Sequence, residues 1–248
     1  MATSPAITMD RVVLVTGSTS GIGEATALRF ADSGDRVIFN SARSREAGER
    51  LAASTTDALY VQADIAKAED CTRLVAEVLE HYGRLDVLVN NAGTTKVIPH
   101  ADLNAASLDV WRDIFEVNVF GTWSLCVAAM EALRESHGAI VNVSSLAGVR
   151  SVGSSIPYAA SKAAVNHMTE LLAKAVGPEV RVNAVAPGLI ATPWTQDWDG
   201  QHGFVGAVAP LRRSGTPEDV ADVIVALAAT PYVTGQVVVV DGGLGLAT

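Results

Sequence analysis

Short apolar runs alternate with longer amphipathic segments along almost the whole chain. The runs are rich in β-branched residues and apolar on both faces, which is typical of strands buried inside a parallel sheet. Seven strands are predicted, at Val12–Val15, Arg36–Asn40, Ala58–Gln62, Leu85–Val89, Ala139–Val143, Val180–Val185 and Gln236–Val240. Helical patterns lie between them, at 24–34, 43–50, 68–82, 107–135, 158–176 and 216–229. This alternation predicts an α/β fold in which helices cover both faces of one doubly wound sheet.

The pattern offers no place at which to divide the chain into two domains. No linker rich in Pro, Gly or charge interrupts it, and no internal repeat is present. We therefore predict a single Rossmann-type domain of about seven parallel strands over residues 11–248, after a flexible tail at 1–10. Residues 189–215 follow neither the helical nor the strand period, and are predicted to be irregular.

Composition and charge exclude several classes of function. The formal net charge of −9 argues against a nucleic-acid partner, because such sites need clustered Lys and Arg. Neither the two cysteines nor His100, His167 and His202 match a metal-ligand spacing, so no metal site is predicted and these histidines receive no role. The first residues lack a signal-peptide pattern, and no apolar run reaches the length of a membrane span. These features predict a cytoplasmic protein that acts on a small molecule, without a membrane partner.

Three side chains with complementary chemistry lie near the end of the fifth predicted strand. Ser145 follows that strand, at the edge where open parallel sheets bind ligands. Tyr158 and Lys162 are four residues apart in the next helix and share one face of it. A nearby cation favours phenolate, so we expect Lys162 to lower the pKa of Tyr158 from about 10 and to let it exchange a proton near pH 7. Ser145 is placed to hydrogen-bond a substrate oxygen as charge develops on it.

A glycine-rich turn follows the first strand and opens the first helix. It comprises Gly17, Ser18, Thr19, Ser20, Gly21, Ile22 and Gly23, with the spacing G-x-x-x-G-x-G. Glycines let the backbone approach a pyrophosphate, and the helix N-terminus offers unpaired N–H groups and the positive end of its dipole. Its position favours a dinucleotide-binding turn over a tight strand–helix connection that binds nothing.

Taken together, these motifs resemble those of the short-chain dehydrogenase/reductase family. The matching segments are Thr16-Gly17-x-x-x-Gly21-x-Gly23 for the cofactor motif, Asn90-Asn91-Ala92-Gly93 for the fourth-strand motif, Pro187-Gly188 for the turn after the sixth strand and Val240-Asp241-Gly242-Gly243 for the ending. Asn118, Ser145, Tyr158 and Lys162 look like the catalytic tetrad of the family. The resemblance covers about Val12 to Gly243.

The resemblance implies an oxidoreductase that transfers hydride between NAD(P)(H) and a ketone or secondary alcohol, with a 3-oxoacyl thioester as the leading substrate. Tyr158 would be the general acid/base, Ser145 would hold the substrate oxygen, and Lys162 would bind the nicotinamide ribose. Asn118 would anchor a water that relays protons through Lys162. Further cofactor contacts implied by the resemblance are Asp64, Ile65, Asn91, Ala92, Gly93, Pro187, Gly188, Ile190 and Thr192. The family also implies a homo-oligomer, either a dimer or a tetramer.

The end of the second predicted strand bears on the choice between NAD and NADP. An acidic residue there hydrogen-bonds the ribose 2′-hydroxyl of NAD and repels the 2′-phosphate of NADP. Here Ser41 holds that position, and Arg43 follows where it can form a charge-assisted hydrogen bond to a phosphate. We therefore predict NADP(H) as the preferred cofactor, with NAD(H) as the alternative.

The role of the aromatic residues after the sixth strand stays open at this point. By analogy with the family, residues 189–215 form a substrate lid, in which Trp194, Trp198 and Phe204 either wall an apolar pocket or pack the lid against the body.

Other functions than an oxidoreductase also stay open. The second option is a catalytically silent NAD(P)-binding sensor or scaffold on the same fold. A pure binding protein needs neither Tyr158 nor Ser145 in the cleft, so the complete tetrad speaks against it. A sugar epimerase is a third option, for which the C-terminal part leaves little room.

Overall fold

Seven parallel strands form one sheet in a computed structural model that describes residues 10–247. Their order across the sheet is β3-β2-β1-β4-β5-β6-β7, so the direction of winding reverses between β1 and β4. The strands are β1 Val12–Val15, β2 Arg36–Ser41, β3 Ala58–Gln62, β4 Val87–Asn90, β5 Ala139–Val143, β6 Arg181–Pro187 and β7 Val237–Val240. The prediction of a doubly wound α/β fold with about seven parallel strands is confirmed.

Helices cover both faces of this sheet. They are α1 Gly21–Asp32, α2 Arg45–Ser54, α3 Ala68–Tyr82, α4 Leu108–Phe115, α5 Thr122–Glu135, α6 Ile156–Val176, α7 Asp199–Val208 and α8 Pro217–Ala229. A π-helical turn, Glu116–Gly121, joins α4 to α5, and short 3-10 turns lie at Leu146–Gly148, Pro193–Thr195 and Leu244–Leu246. None of the helices between residues 10 and 247 is long and apolar enough to cross a membrane.

Alternate residues of each central strand enter two separate hydrophobic cores. In β1, Val12 and Leu14 join the core beneath α3, α5 and α6, whereas Val13 and Val15 join the core beneath α1 and α8. All four side chains are fully buried. Burial on both faces explains why these strands read as continuous apolar runs rather than as an alternating pattern.

Two predicted segments differ from the structure. Residues 199–208, predicted to be irregular, form helix α7, in which Val205 is buried against Leu146 and Leu244. The predicted helix over 107–135 contains the π-helical turn Glu116–Gly121 in its middle. Residues 1–9 of the predicted tail, and Thr248, lie outside the described part of the chain.

The carboxyl ends of the strands carry the polar residues singled out by the sequence. Gly17 follows β1, Asn91 follows β4, Ser145 lies two residues beyond β5, and Gly188 follows β6. Because all strands are parallel, these ends lie at one edge of the sheet, and the reversal of winding opens a crevice there.

Candidate active site

A cavity of about 980 Å³ occupies this crevice. It extends from the glycine-rich turn, past the loops after β4 and β5, to the segment that follows β6. The predicted site residues that line it are Gly17, Ser20, Gly21, Ile22, Ser41, Arg43, Asp64, Ile65, Asn91, Ala92, Gly93, Ser145, Tyr158, Lys162, Pro187, Gly188, Ile190 and Thr192. The fold thus brings both predicted groups, cofactor-binding and catalytic, to one cavity.

Four predicted site residues, Ser18, Thr19, Gly23 and Asn118, do not line the cavity. The hydroxyl of Ser18 donates to the Val15 carbonyl at 2.7 Å and accepts from the Asn40 N–H at 2.9 Å, so it braces the turn instead of facing a ligand. A Cβ at Gly23 would lie 2.4 Å from the Gly17 carbonyl oxygen. Gly23 therefore shapes the turn by allowing this close approach.

The glycine-rich turn has the geometry of an anion cradle. Gly17 and Gly21 adopt φ values of +60° and +58°, which favour glycine. A Cβ at Gly17 would also lie 2.9 Å from the Ala92 Cα, so no larger residue fits without displacement of the backbone. Ser20 precedes α1 and makes no side-chain capping bond, which leaves N–H groups of the first helical turn for a ligand.

Asn91 ties the turn after β1 to the loop after β4. Its side-chain amide donates to the carbonyls of Thr16 and Gly17 at 2.8 and 3.0 Å. The Thr16 hydroxyl in turn accepts from the main-chain N–H groups of Asn91 and Ala92, each at 3.1 Å. Both the side-chain amide and the main-chain N–H of Asn91 are therefore hydrogen-bonded within the protein.

Asn40 is a cavity residue that the sequence analysis did not single out. It is the penultimate residue of β2 and almost fully buried, and its side chain donates to the carbonyls of Val61 and Ala63, both at 3.1 Å. Its amide oxygen accepts from the Gly17 N–H at 3.4 Å. A polar residue at the end of an apolar strand is the available sequence signal, and it lies beside the predicted Ser41.

The three predicted catalytic side chains converge in the middle of the cavity. Ser145 precedes a 3-10 turn and accepts from the Ala147 N–H at 3.2 Å. Tyr158 lies in the first turn of α6, whose N-cap Ser155 accepts from the Tyr158 N–H at 3.4 Å. One turn later, the Lys162 Nζ donates to the Val143 carbonyl at 2.8 Å and lies 5.8 Å from the centre of the Tyr158 ring.

The proton affinities in this group differ from the sequence-based expectation. Burial raises the pKa of the Tyr158 phenol, and the Ser145 hydroxyl lowers it in part. Burial also lowers the pKa of Lys162, from its ordinary 10.5 to about 8. The expectation of a lowered phenol pKa is therefore wrong, because the cost of burying the phenolate outweighs the Ser145 hydrogen bond that favours it. Tyr158 is protonated at neutral pH.

Asn118 lies behind this group, in the π-helical turn. Its side chain accepts from the Thr94 N–H at 2.8 Å and donates to the Thr94 carbonyl at 3.0 Å and to the Ser161 hydroxyl at 2.9 Å. Single π turns inside α-helices occur frequently at functional sites. These bonds connect Asn118 to the loop after β4 and to α6, and they leave its predicted role as a water anchor untested.

Ser41, the last residue of β2, and the arginines that follow it differ in their availability to a ligand. The Ser41 hydroxyl lies 2.9 Å from the Tyr60 hydroxyl and accepts from the Ser44 N–H at 3.1 Å. Arg45 is held by Gln62 at 2.9 Å. Arg43 is exposed at the rim of the cavity and makes no hydrogen bond or ion pair with any residue between 10 and 247. Its guanidinium is therefore the free cation at this end.

The aromatic residues of the predicted lid face the cavity. Trp194, Trp198 and Phe204 all line it, which favours the pocket-wall alternative. His202, to which no role was assigned, interacts through Nδ1 with the Ser214 hydroxyl at 2.7 Å and through Nε2 with the Thr195 carbonyl at 3.1 Å. No sequence pattern distinguishes such a histidine, because both partners are set by the tertiary fold.

A nicotinamide dinucleotide fits this arrangement. The glycine cradle and the first turn of α1 suit its pyrophosphate. Asp64 and Ile65 line the same cavity. At the other end, the Lys162 Nζ lies close to Gly93, 3.5 Å from the position that a Cβ would occupy there. Lys162 is therefore within reach of a ribose bound beside Gly93. The cavity continues beyond Ser145 and Tyr158 and so leaves space for a second molecule.

Comparison with known proteins agrees with this geometry. The family described as enoyl-(acyl carrier protein) reductase matches residues 17–245. A protein of Streptomyces violaceoruber, assigned as ketoacyl reductase 2 of the granaticin polyketide synthase, is 58% identical over 241 residues, which are 95% of this chain and 96% of the relative.

Solved structures extend the comparison. A structure from Burkholderia xenovorans, described as a short-chain dehydrogenase/reductase, is 40% identical with a TM-score of 0.89, over 95% of this chain and 98% of the other. ElxO with NADP bound is 30% identical with a TM-score of 0.88, over 97% of this chain and all of the other. The chain therefore belongs to the short-chain dehydrogenase/reductase family of oxidoreductases.

Proposed function

We propose that this oxidoreductase uses NADP(H) to reduce the ketone of a 3-oxoacyl thioester or a related ketone, with Tyr158 as the proton donor. One observation carries the proposal: Ser145, Tyr158 and Lys162 meet in the same cavity as the glycine-rich cradle. A catalytically silent binding protein has no use for a phenol and a buried ammonium group at this point. The ketoacyl reductase assignment of the Streptomyces relative supports the substrate class.

When bound, the cofactor supplies the hydride for the carbonyl carbon. Ser145 and Tyr158 hold the carbonyl oxygen through their hydroxyl groups and stabilise the negative charge that develops on it. Tyr158, which its raised pKa keeps protonated at neutral pH, donates its proton to that oxygen as the oxygen becomes basic. Lys162 orients the nicotinamide ribose, and Asn118 holds the loop after β4 against α6.

The preference for NADP(H) rests on the residues that follow β2. Arg43 is exposed at the cavity rim and has no partner among residues 10–247, so it is available to a 2′-phosphate. Ser41 stands at the position where a carboxylate would favour the 2′-hydroxyl of NAD(H). NAD(H) is therefore the secondary cofactor. ElxO, a structural neighbour, has NADP bound.

The proposal places the enzyme in the cytoplasm as a homo-oligomer, either a dimer or a tetramer. Its cysteines, Cys71 and Cys126, are both unpaired and buried, in keeping with a reducing compartment. Large apolar side chains on α4, α5 and α6 are exposed in the single chain, namely Leu108, Trp123 and Leu171. Surfaces of this kind are often covered by another subunit.

The test is an assay with the small thioester S-acetoacetyl-N-acetylcysteamine and either NADPH or NADH, followed by nicotinamide absorbance. We expect NADPH oxidation to depend on the thioester, with a higher kcat/KM than NADH. Arg43→Ala should lower kcat/KM for NADPH roughly tenfold or more by removing a charge-assisted bond, with little effect on NADH. Arg45→Ala is the matched control, since Arg45 is already bound to Gln62. Equal losses with both cofactors, or a preference for NADH, would refute the cofactor assignment.

A further inference from the structure

We propose that Trp194 positions the Tyr158 phenol and selects ketones that carry a flat apolar group beside the carbonyl. The inference rests on the proposed ketone reduction and names the substrate class within it. It starts from a contact between the lid and the proposed proton donor that the sequence analysis did not foresee.

The indole of Trp194 packs edge-on against the Tyr158 ring. The two ring centres are 6.4 Å apart, and the ring planes meet at 75°. This edge-to-face arrangement is one that aromatic pairs prefer. Trp194 is 49% exposed, so part of the indole remains open beside the phenol at the cavity wall. A substrate held by Tyr158 therefore lies next to the indole.

The backbone of Trp194 is held from several directions. Thr192 and Thr195 form a reciprocal capping box around the turn that contains it. The Thr195 hydroxyl donates to the Ile190 carbonyl at 2.6 Å, and His202 interacts with the Thr195 carbonyl at 3.1 Å. Trp194 thus occupies a defined position and can hold its neighbour in place.

The lid end of the cavity is lined mainly by apolar side chains. Trp198 and Phe204 line it together with Val152, Leu189 and Leu244, whereas its polar members, such as Gln201, Thr192 and Thr195, are neutral. The charged residues that line the cavity between residues 10 and 247 are Arg43 and Asp64, both at the cofactor end, and Lys162 beside the phenol. The nearby Arg213 is paired with Asp219 at 2.5 Å. An apolar group is therefore favoured beyond the reacting carbonyl, whereas a charged group would lose its hydration without gaining a partner.

The first measurement compares two neutral ketones that differ by one fused benzene ring, 2-tetralone and cyclohexanone, with NADPH. We expect the wild type to favour 2-tetralone in kcat/KM by roughly tenfold or more, and Trp194→Ala to remove most of that preference. Trp194→Phe should restore much of it, because a phenyl ring can keep the edge contact. A preference that survives in Trp194→Ala would overturn the assignment.

The second measurement needs neither cofactor nor substrate. The near-ultraviolet absorbance of each protein is measured as a function of pH. Subtracting the curve of the same protein with Tyr158→Phe added leaves the titration of Tyr158 alone. Trp194→Ala admits water to the phenol and should lower its pKa relative to wild type, since burial is what raises it. Lys162 is the charged cavity residue beside this ring and is unchanged in every variant.

Phe204→Ala is the matched control for the titration, because Phe204 lines the same cavity but makes no ring contact with Tyr158. Phe204→Ala should leave the pKa of Tyr158 unchanged from that of the wild type. An unchanged titration in Trp194→Ala, or an equal shift in Phe204→Ala, would refute the positioning role. Failure of the wild type to reduce either ketone or the thioester would instead count against the proposed function itself.

Discussion

At the residue scale, Lys162 lies behind the Tyr158 ring with 4% of its surface exposed and donates to the Val143 carbonyl. Burial disfavours its charged form and brings its pKa to about 8. The folded state therefore holds this proton less tightly than the unfolded chain does, and part of the folding free energy is lost while the group is charged. The same burial keeps the phenol of Tyr158 protonated.

This predicts a specific dependence of stability on pH. Between about pH 8 and 10.5, Lys162 is neutral in the folded protein and charged in the unfolded chain, so its contribution to the unfolding free energy rises with pH. The rise has an upper limit of about 3 kcal/mol. We expect it in the difference between wild type and Lys162→Met, measured by denaturant unfolding across this range.

Lys174→Met is the control for that comparison, because Lys174 lies exposed in the last turn of the same helix. The Lys162→Met difference should rise with pH relative to this control, which removes one positive charge from an exposed position of the same helix. A Lys162→Met difference no steeper than that of the control would show that the ammonium group is not destabilised by burial.

The spacing of Tyr158 and Lys162 was enough to predict that they share a helix face and a cleft. It was not enough to predict their pKa values. Those values depend on how deeply each group is buried and, for Tyr158, on the Ser145 hydroxyl, which only the tertiary fold brings into place.

At the element scale, the segment after β6 contains helix α7, and the two ends of the segment are hydrogen-bonded to each other. Its two ends are joined by main-chain bonds from Ala191 to the Gly215 carbonyl at 2.9 Å and from Gly215 to the Leu189 carbonyl at 3.0 Å. His202 connects α7 to Thr195 and Ser214. We propose that this segment, 189–215, is the substrate lid and that His202 holds its helix in place.

Replacing His202 by Ala should loosen the lid. The loss of two hydrogen bonds of about 1 kcal/mol each predicts amide exchange roughly tenfold or more faster in α7, with the sheet unaffected. Hydrogen exchange read by mass spectrometry measures this directly. His167→Ala serves as the comparison, since that side chain is exposed in α6. Equal protection of α7 in wild type and His202→Ala would rule out the connecting role.

The elements that the sequence analysis missed had weak local signals. Helix α7 contains Gly200, Gly203 and Gly206, which lower its intrinsic helix propensity, and only Val205 of its residues is buried. The π-helical turn around Asn118 has no residue preference of its own that sets it apart from the α-helical segments on either side, so the sequence predicts one helix across it. By contrast, the predicted bounds of α3 match the observed ones, and those of α8 differ from them by one residue at the start.

At the scale of the whole molecule, the parallel topology is what assembles the site. Four loops that are far apart in sequence meet at one edge because all seven strands are parallel, and the reversal of strand order between β1 and β4 opens a crevice among them. Continuous apolar strands alternating with helices were sufficient to predict this architecture. The hydrogen bonds of the Ser18 and Asn91 side chains could not be predicted, because both side chains bind backbone groups that only the folded loops bring into place.

A ligand that joins these loops should stabilise the entire chain. At 100 times its Kd, a bound cofactor adds about 2.7 kcal/mol. For a chain of this size that corresponds to a rise in Tm of roughly 5–10 °C. We expect NADPH to give a larger rise than NADH at equal concentration in differential scanning fluorimetry. The absence of a shift with either nucleotide would argue that the cavity does not bind dinucleotides.

The central claim is that Tyr158 transfers a proton to a carbonyl oxygen beside bound NADPH, and Tyr158→Phe tests it most directly because only one hydroxyl is lost. Turnover of S-acetoacetyl-N-acetylcysteamine and the Kd for NADPH, read from nucleotide fluorescence, are measured on the same preparation. The account predicts a loss in kcat of about 10²–10⁴-fold with NADPH binding nearly unchanged. Turnover close to that of the wild type, with NADPH still bound, would contradict it.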